Sequence, residues 1–354
     1  MGFLAHCLIK KFIMPELRKD PVVGRWVIIA TERARRPGNF VSYQENAFGE
    51  TKECPFCQNQ DPEIYAMRHP GSGHDQWSVK VVPNGTPILS SEVKFKRRGS
   101  GLYDVINGYG ANEVVIETPE HISNMADLSI DQIQNVFQTY VARFQELAQR
   151  SDLQYVFAYK NYGEAAGSRP IGHSRSQVIA APVNPLRVKE KLQGAQQYFN
   201  YRERCLYCDI VRQTQDDPSR LVRETEHFIA ITPFAPRFPF EVTILPKKHC
   251  CDFMVGAAGL EQDLAGLVKD VLMRFKVGLD DCAYNYVIQT APLRHKRKSG
   301  TKWETIEEDY HWHLEMMPRL ARPAGFEKGS GFYICPIPPE DTAEYLRRVN
   351  ISGK

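Results

Sequence analysis

Two C-x-x-C pairs, Cys54/Cys57 in ECPFCQN and Cys205/Cys208 in RCLYCDI, divide the 354-residue chain into halves whose polar landmarks fall in one order. In the first half the pair is followed by His121, a helix-period segment, a strand-like run and His173-Ser-Arg175-Ser-Gln177. In the second it is followed by His249, a helix-period segment, a strand-like run and His311-Trp-His313-Leu-Glu315. The intervals between landmarks differ, which is the mark of an old duplication with altered loops and not of a repeat array. Such a chain is constrained to use one α+β plan twice, with the two copies packed on each other.

The local patterns agree. β-branched and aromatic runs bounded by Gly, Pro or Asn predict strands at residues 25–31, 113–118, 154–160 and 176–181, and again at 227–232, 241–246, 285–289 and 311–317. Between them, residues 131–149 carry Ile133, Val136, Phe137, Tyr140, Val141, Phe144, Leu147 and Ala148 on one helical face, with Ser129 and Asp131 as capping groups. Residues 260–275 do the same with Leu260, Leu264, Leu267, Val268, Val271, Leu272 and Phe275. Units are expected at 14–190 and 191–354. Residues 1–13 have no basic start and no cleavage site, and they read as a leader before Met14.

Composition narrows the function. Lys plus Arg is 45 against 42 acidic residues, a net charge of +3, which argues against a nucleic-acid surface. The basic stretch Arg294-His-Lys-Arg-Lys298 reads as a solvated loop, and we assign it no function. No apolar run reaches the ~18–20 residues of a membrane span. With no export signal, the expected compartment is the reducing cytoplasm, where nine cysteines are not a disulfide framework. Each half instead offers two thiolates at C-x-x-C spacing and two later histidines, a Cys2His2 set suited to tetrahedral zinc. An inert or redox dithiol is the alternative, since spacing does not place the distant histidines.

These residues carry a resemblance. DPVVGRWVIIATERARRP, CPFC, VVPNGTPIL, NEVVIETPEH, YKNYGEAAGS, HSRSQ, FPFEVTILPKKH, YHWHLEMMPRL and GFEKGSGFYICPIPPED, in that order, resemble the galactose-1-phosphate uridylyltransferase family of the histidine-triad superfamily. The resemblance implies two fused histidine-triad-like units, each an antiparallel sheet with a long helix. It also implies nucleotidyl transfer from a nucleotide sugar (UDP-glucose) to a sugar 1-phosphate (galactose 1-phosphate), through a nucleotide held covalently on the second histidine of an H-x-H-x-Q strand. Neutral imidazole suits that role near pH 7. Carried onto this chain, the metal ligands are Cys54, Cys57, His121 and His173, with Cys205, Cys208, His249 and His311 at a second zinc site present in some members. Arg33, Arg36, Asn84, Asn161, Gly167, Ser168, Phe326 and Lys328 match substrate-binding positions, and Gln177 matches the holder of the phosphate oxygens. The implied partners are a nucleotide sugar and a sugar 1-phosphate, and homodimers are common in the family.

One position departs. The nucleophile's place is held by Arg175, whose guanidinium has no lone pair to form a phosphoramidate. Three expectations follow: direct phosphorolysis or hydrolysis with Arg175 holding phosphate charge; a nucleophilic role for His313, against a structural histidine; or nucleotide binding without chemistry. A shifted register that makes His173 the nucleophile would remove it from the zinc set.

Overall fold

The computed structural model describes residues 15–31, 54–58, 62–68, 76–295 and 303–351. Ten strands form one continuous sheet. In chain order they are β1 (Tyr65–Met67), β2 (Val79–Pro83), β3 (Ala111–Ile116), β4 (Tyr155–Tyr162), β5 (Arg175–Ala181), β6 (Leu221–Glu224), β7 (Phe228–Ile231), β8 (Val242–Pro246), β9 (Tyr284–Gln289) and β10 (His313–Pro318). Their spatial order is β6-β7-β8-β10-β9-β4-β5-β3-β2-β1. The five strands of each half therefore sit in the same order about a central seam. That seam is the antiparallel pairing of β4 with β9, from Tyr162↔Tyr284 to Tyr159↔Val287. The fold is α+β, with one antiparallel-sheet-and-long-helix plan used twice as expected, but the two units share a sheet where the sequence suggested separate units packed together.

Each half inserts its long helix between its third and fourth strands. Helix α1 (Ile130–Leu147) begins where the Ser129 side chain accepts from the Gln132 amide, as the sequence predicts. Gln132 then anchors that first turn by donating to the backbone carbonyls of Ser78 and Glu117. Ile133, Val136, Phe137 and Tyr140 are fully buried. Each large apolar side chain so buried contributes about 1.5–3 kcal/mol. Its counterpart, the third long helix of the chain, spans Glu261–Gly278 and packs against α1, with Leu264, Val268 and Val271 buried in a core common to both halves. The helix caps do not rhyme: Leu260 gives no side-chain cap.

The strand expected at 25–31 forms as Trp26–Ile29, outside the main sheet. It pairs antiparallel with Glu16–Lys19 and parallel with Tyr333–Cys335. The counterpart of β7 is therefore β2 and not this strand. The linker between halves forms helix α2 (Leu186–Arg202), not expected from the sequence because only Val188, Lys191, Leu192 and Ala195 are buried along it.

Mid-helix, α2 carries Gly194 at a close approach. A Cβ there would lie 1.6 Å from the carbonyl oxygen of Val22, so only glycine lets the Asp20–Arg25 turn rest on the helix. At an ordinary helical site Gly→Ala gains roughly 1 kcal/mol. We expect Gly194→Ala to lose about 1–3 kcal/mol instead, the usual cost of overpacking, read as a lower midpoint in urea unfolding.

Candidate functional site

The halves each bring their two thiols and two histidines together. In the first, Cys54 precedes the short helix Pro55–Gln58, His121 follows β3, and His173 precedes β5. The ligand atoms of Cys54, Cys57, His121 and His173 lie within 4.8 Å of one another. His173 Nδ1 is 3.5 Å from both Cys54 Sγ and Cys57 Sγ, and His121 Nδ1 is 3.3 Å from Cys57 Sγ. In the second, Cys208 Sγ is 3.3 Å from His249 Nδ1 and 3.7 Å from His311 Nδ1, with Cys205 completing the group. Bond lengths of ~2.3 Å to sulfur and ~2.0–2.1 Å to nitrogen put tetrahedral zinc ligands roughly 3.3–3.8 Å apart, so these contacts fit a metal.

The backbone settles which imidazole nitrogen faces the thiols. His173 Nε2 lies 2.8 Å from the Thr118 carbonyl, and His311 Nε2 lies 2.9 Å from the Pro246 carbonyl, at the matching place in the second half. His249 Nε2 lies 2.9 Å from the Glu307 carbonyl. A carbonyl only accepts, so each Nε2 carries the proton and each Nδ1 lone pair points into its cluster. Burial pushes the Cys57 thiol up to about 11, whereas Cys208 is pulled down to about 3, by its hydrogen bond with Cys205 first and by His249 and His311 next. A divalent cation is what allows both thiols of a pair to ionise together. All eight described cysteines are free thiols.

Beside the first cluster lies a cavity of about 600 Å³ whose floor is Arg175 and Gln177, with Asn84, Asn161, Gly167 and Ser168 in its walls. The Arg175 guanidinium donates to Ser168 Oγ at 3.1 Å, to the Arg169 carbonyl at 3.0 Å and to the His173 carbonyl at 3.2 Å, and it lies 5.7 Å from the centre of the Phe56 ring. Gln177 Oε1 accepts from Asn84 Nδ2 and Asn112 Nδ2, each at 3.1 Å, which leaves its NH2 group as an available donor. The loop carrying Ser168 turns through Gly163 and Gly167 at φ of 79° and 85°, a conformation that favours glycine. Asn161 is fixed from across the seam, where its Oδ1 accepts from Asn285 Nδ2 at 2.7 Å.

The other expected residues stand apart. Phe326 and Lys328 are exposed on the short helix Gly325–Ser330 and do not line this cavity, because their segment runs toward the separate three-stranded sheet. Arg33 and Arg36 lie outside the described residues, as do residues 1–13. Both nitrogens of His173 are engaged, Nε2 by Thr118 and Nδ1 by the thiols, so the shifted register that would free it is not the one observed.

Three supporting residues were missed. Beneath the His173-Ser174-Arg175 segment, fully buried Lys160 donates to Glu117 Oε2 at 2.6 Å, to Ser174 Oγ at 3.0 Å and to the Arg175 carbonyl at 3.0 Å. Asn112 orients Gln177. A lone Glu117 after the apolar run Val114-Val115-Ile116 was the available signal, since a charge in a buried strand needs a partner.

Family models match both halves of the chain. Models of the galactose-1-phosphate uridyl transferase N-terminal and C-terminal domains match residues 8–185 and 191–329. The chain belongs to the galactose-1-phosphate uridylyltransferase family. It is 35% identical to an ADP-glucose phosphorylase of Arabidopsis thaliana over 96% of this chain and 94% of that protein. It is 26% identical to a galactose-1-phosphate uridylyltransferase of Thermotoga maritima, over 96% and 99%. Among solved structures, an Arabidopsis thaliana ADP-glucose phosphorylase with bound ADP-glucose superposes with a TM-score of 0.78 at 34% identity, covering 96% of this chain and 100% of that one. The function is accordingly of the nucleotidyltransferase or phosphorylase type. Among the described residues no helix is long and apolar enough to cross a membrane.

The buried pair under the floor yields a stability test. Glu117→Gln leaves the Lys160 ammonium without its counter-charge and is expected to cost about 3–5 kcal/mol in urea unfolding. The double variant Glu117→Leu with Lys160→Met is expected to cost less than that single change.

Proposed function

We propose that the protein binds a nucleoside diphosphate sugar over Arg175 and Gln177 and transfers the nucleotidyl group directly to phosphate, without a covalent nucleotidyl-enzyme. The observation that carries this reading is the guanidinium at the nucleophile's place. It is a donor only, and no histidine is among the described residues lining the cavity. An oxygen of the acceptor phosphate bonds to the α-phosphorus as the bond to the bridging oxygen breaks. Sugar 1-phosphate leaves and a nucleoside diphosphate remains. Arg175 and the Gln177 NH2 stabilise the charge on the non-bridging oxygens, and glycines at 163 and 167 let the loop backbone approach them. Inorganic phosphate is favoured as acceptor by the relative named ADP-glucose phosphorylase.

The same reading assigns zinc to both Cys2His2 groups. Bound there, zinc would hold the Pro55–Gln58 turn and the start of β5 in register, a structural service beside the pocket.

Two experiments test this. The protein is incubated with phosphorus-labelled UDP-glucose or ADP-glucose, quenched and assayed for acid-labile label, with nucleoside diphosphate followed with and without phosphate. Unlabelled protein and phosphate-dependent release are expected; label on the wild-type chain would sink the proposal. Arg175→His should create labelling, whereas Arg175→Ala should weaken nucleotide-sugar binding about 10- to 100-fold, the value of one charge-assisted contact. Elemental analysis should find two zinc ions per chain, and Cys54→Ser with Cys57→Ser should remove one of them. Less than one zinc per wild-type chain would end the first-cluster assignment.

A further inference from the structure

Over the sheet of the second half lies a cavity of about 450 Å³, closed by the Lys19–Arg25 segment and the start of α2, whose strand floor repeats that of the first cavity. The sheet registers establish the match. In the first half Val82 pairs with Val114, and Val114 with Gln177. In the second, Ile231 pairs with Thr243, and Thr243 with Glu315. All six line their respective cavities. The same register sets His313 against Arg175, and the third residue of each C-x-x-C supplies an aromatic wall, Phe56 or Tyr207.

The polar chemistry of the two cavities differs. Behind the second one, Lys191 donates to His313 Nε2 at 2.8 Å and to Glu315 Oε1 at 2.7 Å, and Arg237 pairs with Glu315 at 3.1 Å and Glu241 at 2.7 Å. That cluster is neutralised internally. Three other groups lining the cavity are not satisfied: Tyr207 Oη, Gln289 Oε1 and Arg25 Nε are buried without a hydrogen-bond partner among the described residues. Tyr207 and Gln289 are each more than nine-tenths buried. Orphaned polar atoms in an interior are costly unless something in the cavity meets them. At the rim, Arg187 and Arg220 form no ion pair among the described residues and add positive charge.

We propose that this cavity is a second ligand site, for a phosphate-bearing polyol such as a sugar phosphate. The unmet groups define the class. Arg25 Nε needs an acceptor, Gln289 Oε1 needs a hydroxyl donor, and the rim arginines suit a phosphate. Neither a bare anion nor a neutral sugar satisfies all of them. The site lies across the seam from the nucleotide cleft and shares no lining residue with it, and it stands whether or not that cleft transfers nucleotides.

Equilibrium dialysis of the full-length protein with labelled glucose 1-phosphate tests the proposal, with inorganic phosphate and glucose as separate competitors. A site weakened about tenfold or more by Arg187→Ala and by Gln289→Leu, but unchanged by Arg175→Ala, is expected. Arg187 is exposed, so its variant keeps the test meaningful should Gln289→Leu fail to fold. Glucose 1-phosphate should bind at least tenfold more tightly than either competitor. Binding unaffected by Arg187→Ala, no binding beyond what Arg175→Ala removes, or equal affinity for inorganic phosphate would each overturn the proposal. Loss of the Arg175-dependent site alone would count against the nucleotide cleft and leave this one standing.

Discussion

The pairing of Tyr155–Tyr162 with Tyr284–Gln289 is the contact on which the architecture depends. Without it each half would present a five-stranded sheet with an open edge of unpaired N–H and C=O groups. With it those groups are satisfied and the two long helices meet over one core. Side chains seal the junction: the hydroxyls of Tyr140 and Tyr286 lie 2.6 Å apart, and the Tyr162 and Tyr284 rings stack at 5.1 Å. Asn285 reaches across it to hold Asn161 at the wall of the first cavity. The seam thus positions the site as well as closing the sheet.

On either side of that seam, equivalent backbone positions have taken different chemistry. Both halves keep the thiol pair, the two histidines and the carbonyl that orients the second of them. The adjoining floor has diverged. Amides around Gln177 leave a donor open in the first half, whereas Lys191 and Arg237 hold Glu315 in the second. Arg175 is itself part of this divergence. Its guanidinium is held by Ser168, Arg169 and His173, and it has no electron pair to give.

Much of this was legible because its causes are local or repeated. The apolar spacing from Ile133 to Leu147 identified its helix, since one face recurs every 3.6 residues. The strands around Val178 and Ile244 were visible for the same kind of reason. Order alone exposed the duplication. The short edge strands Tyr65–Met67 and Leu221–Glu224 left no such mark, being too brief and too exposed for a period to register. The Trp26–Ile29 strand was recognised but not its place outside the main sheet, because its partners Tyr333–Cys335 lie some three hundred residues away. Gln177 could be placed by resemblance, yet Asn112 and Lys160, which set it and its strand in place, carry no motif of their own.

By itself the sequence determined the α+β plan used twice, the residues able to form two Cys2His2 groups, and an arginine, not an imidazole, at position 175. Those follow from side-chain chemistry and from periodicity, which neighbours in the chain suffice to specify. Only the tertiary structure decided that ten strands form one sheet, which histidine nitrogen faces the thiols, and that a second cavity with unmet hydrogen bonds mirrors the first. Each of those depends on groups far apart in sequence meeting within a few ångströms, which no local pattern encodes.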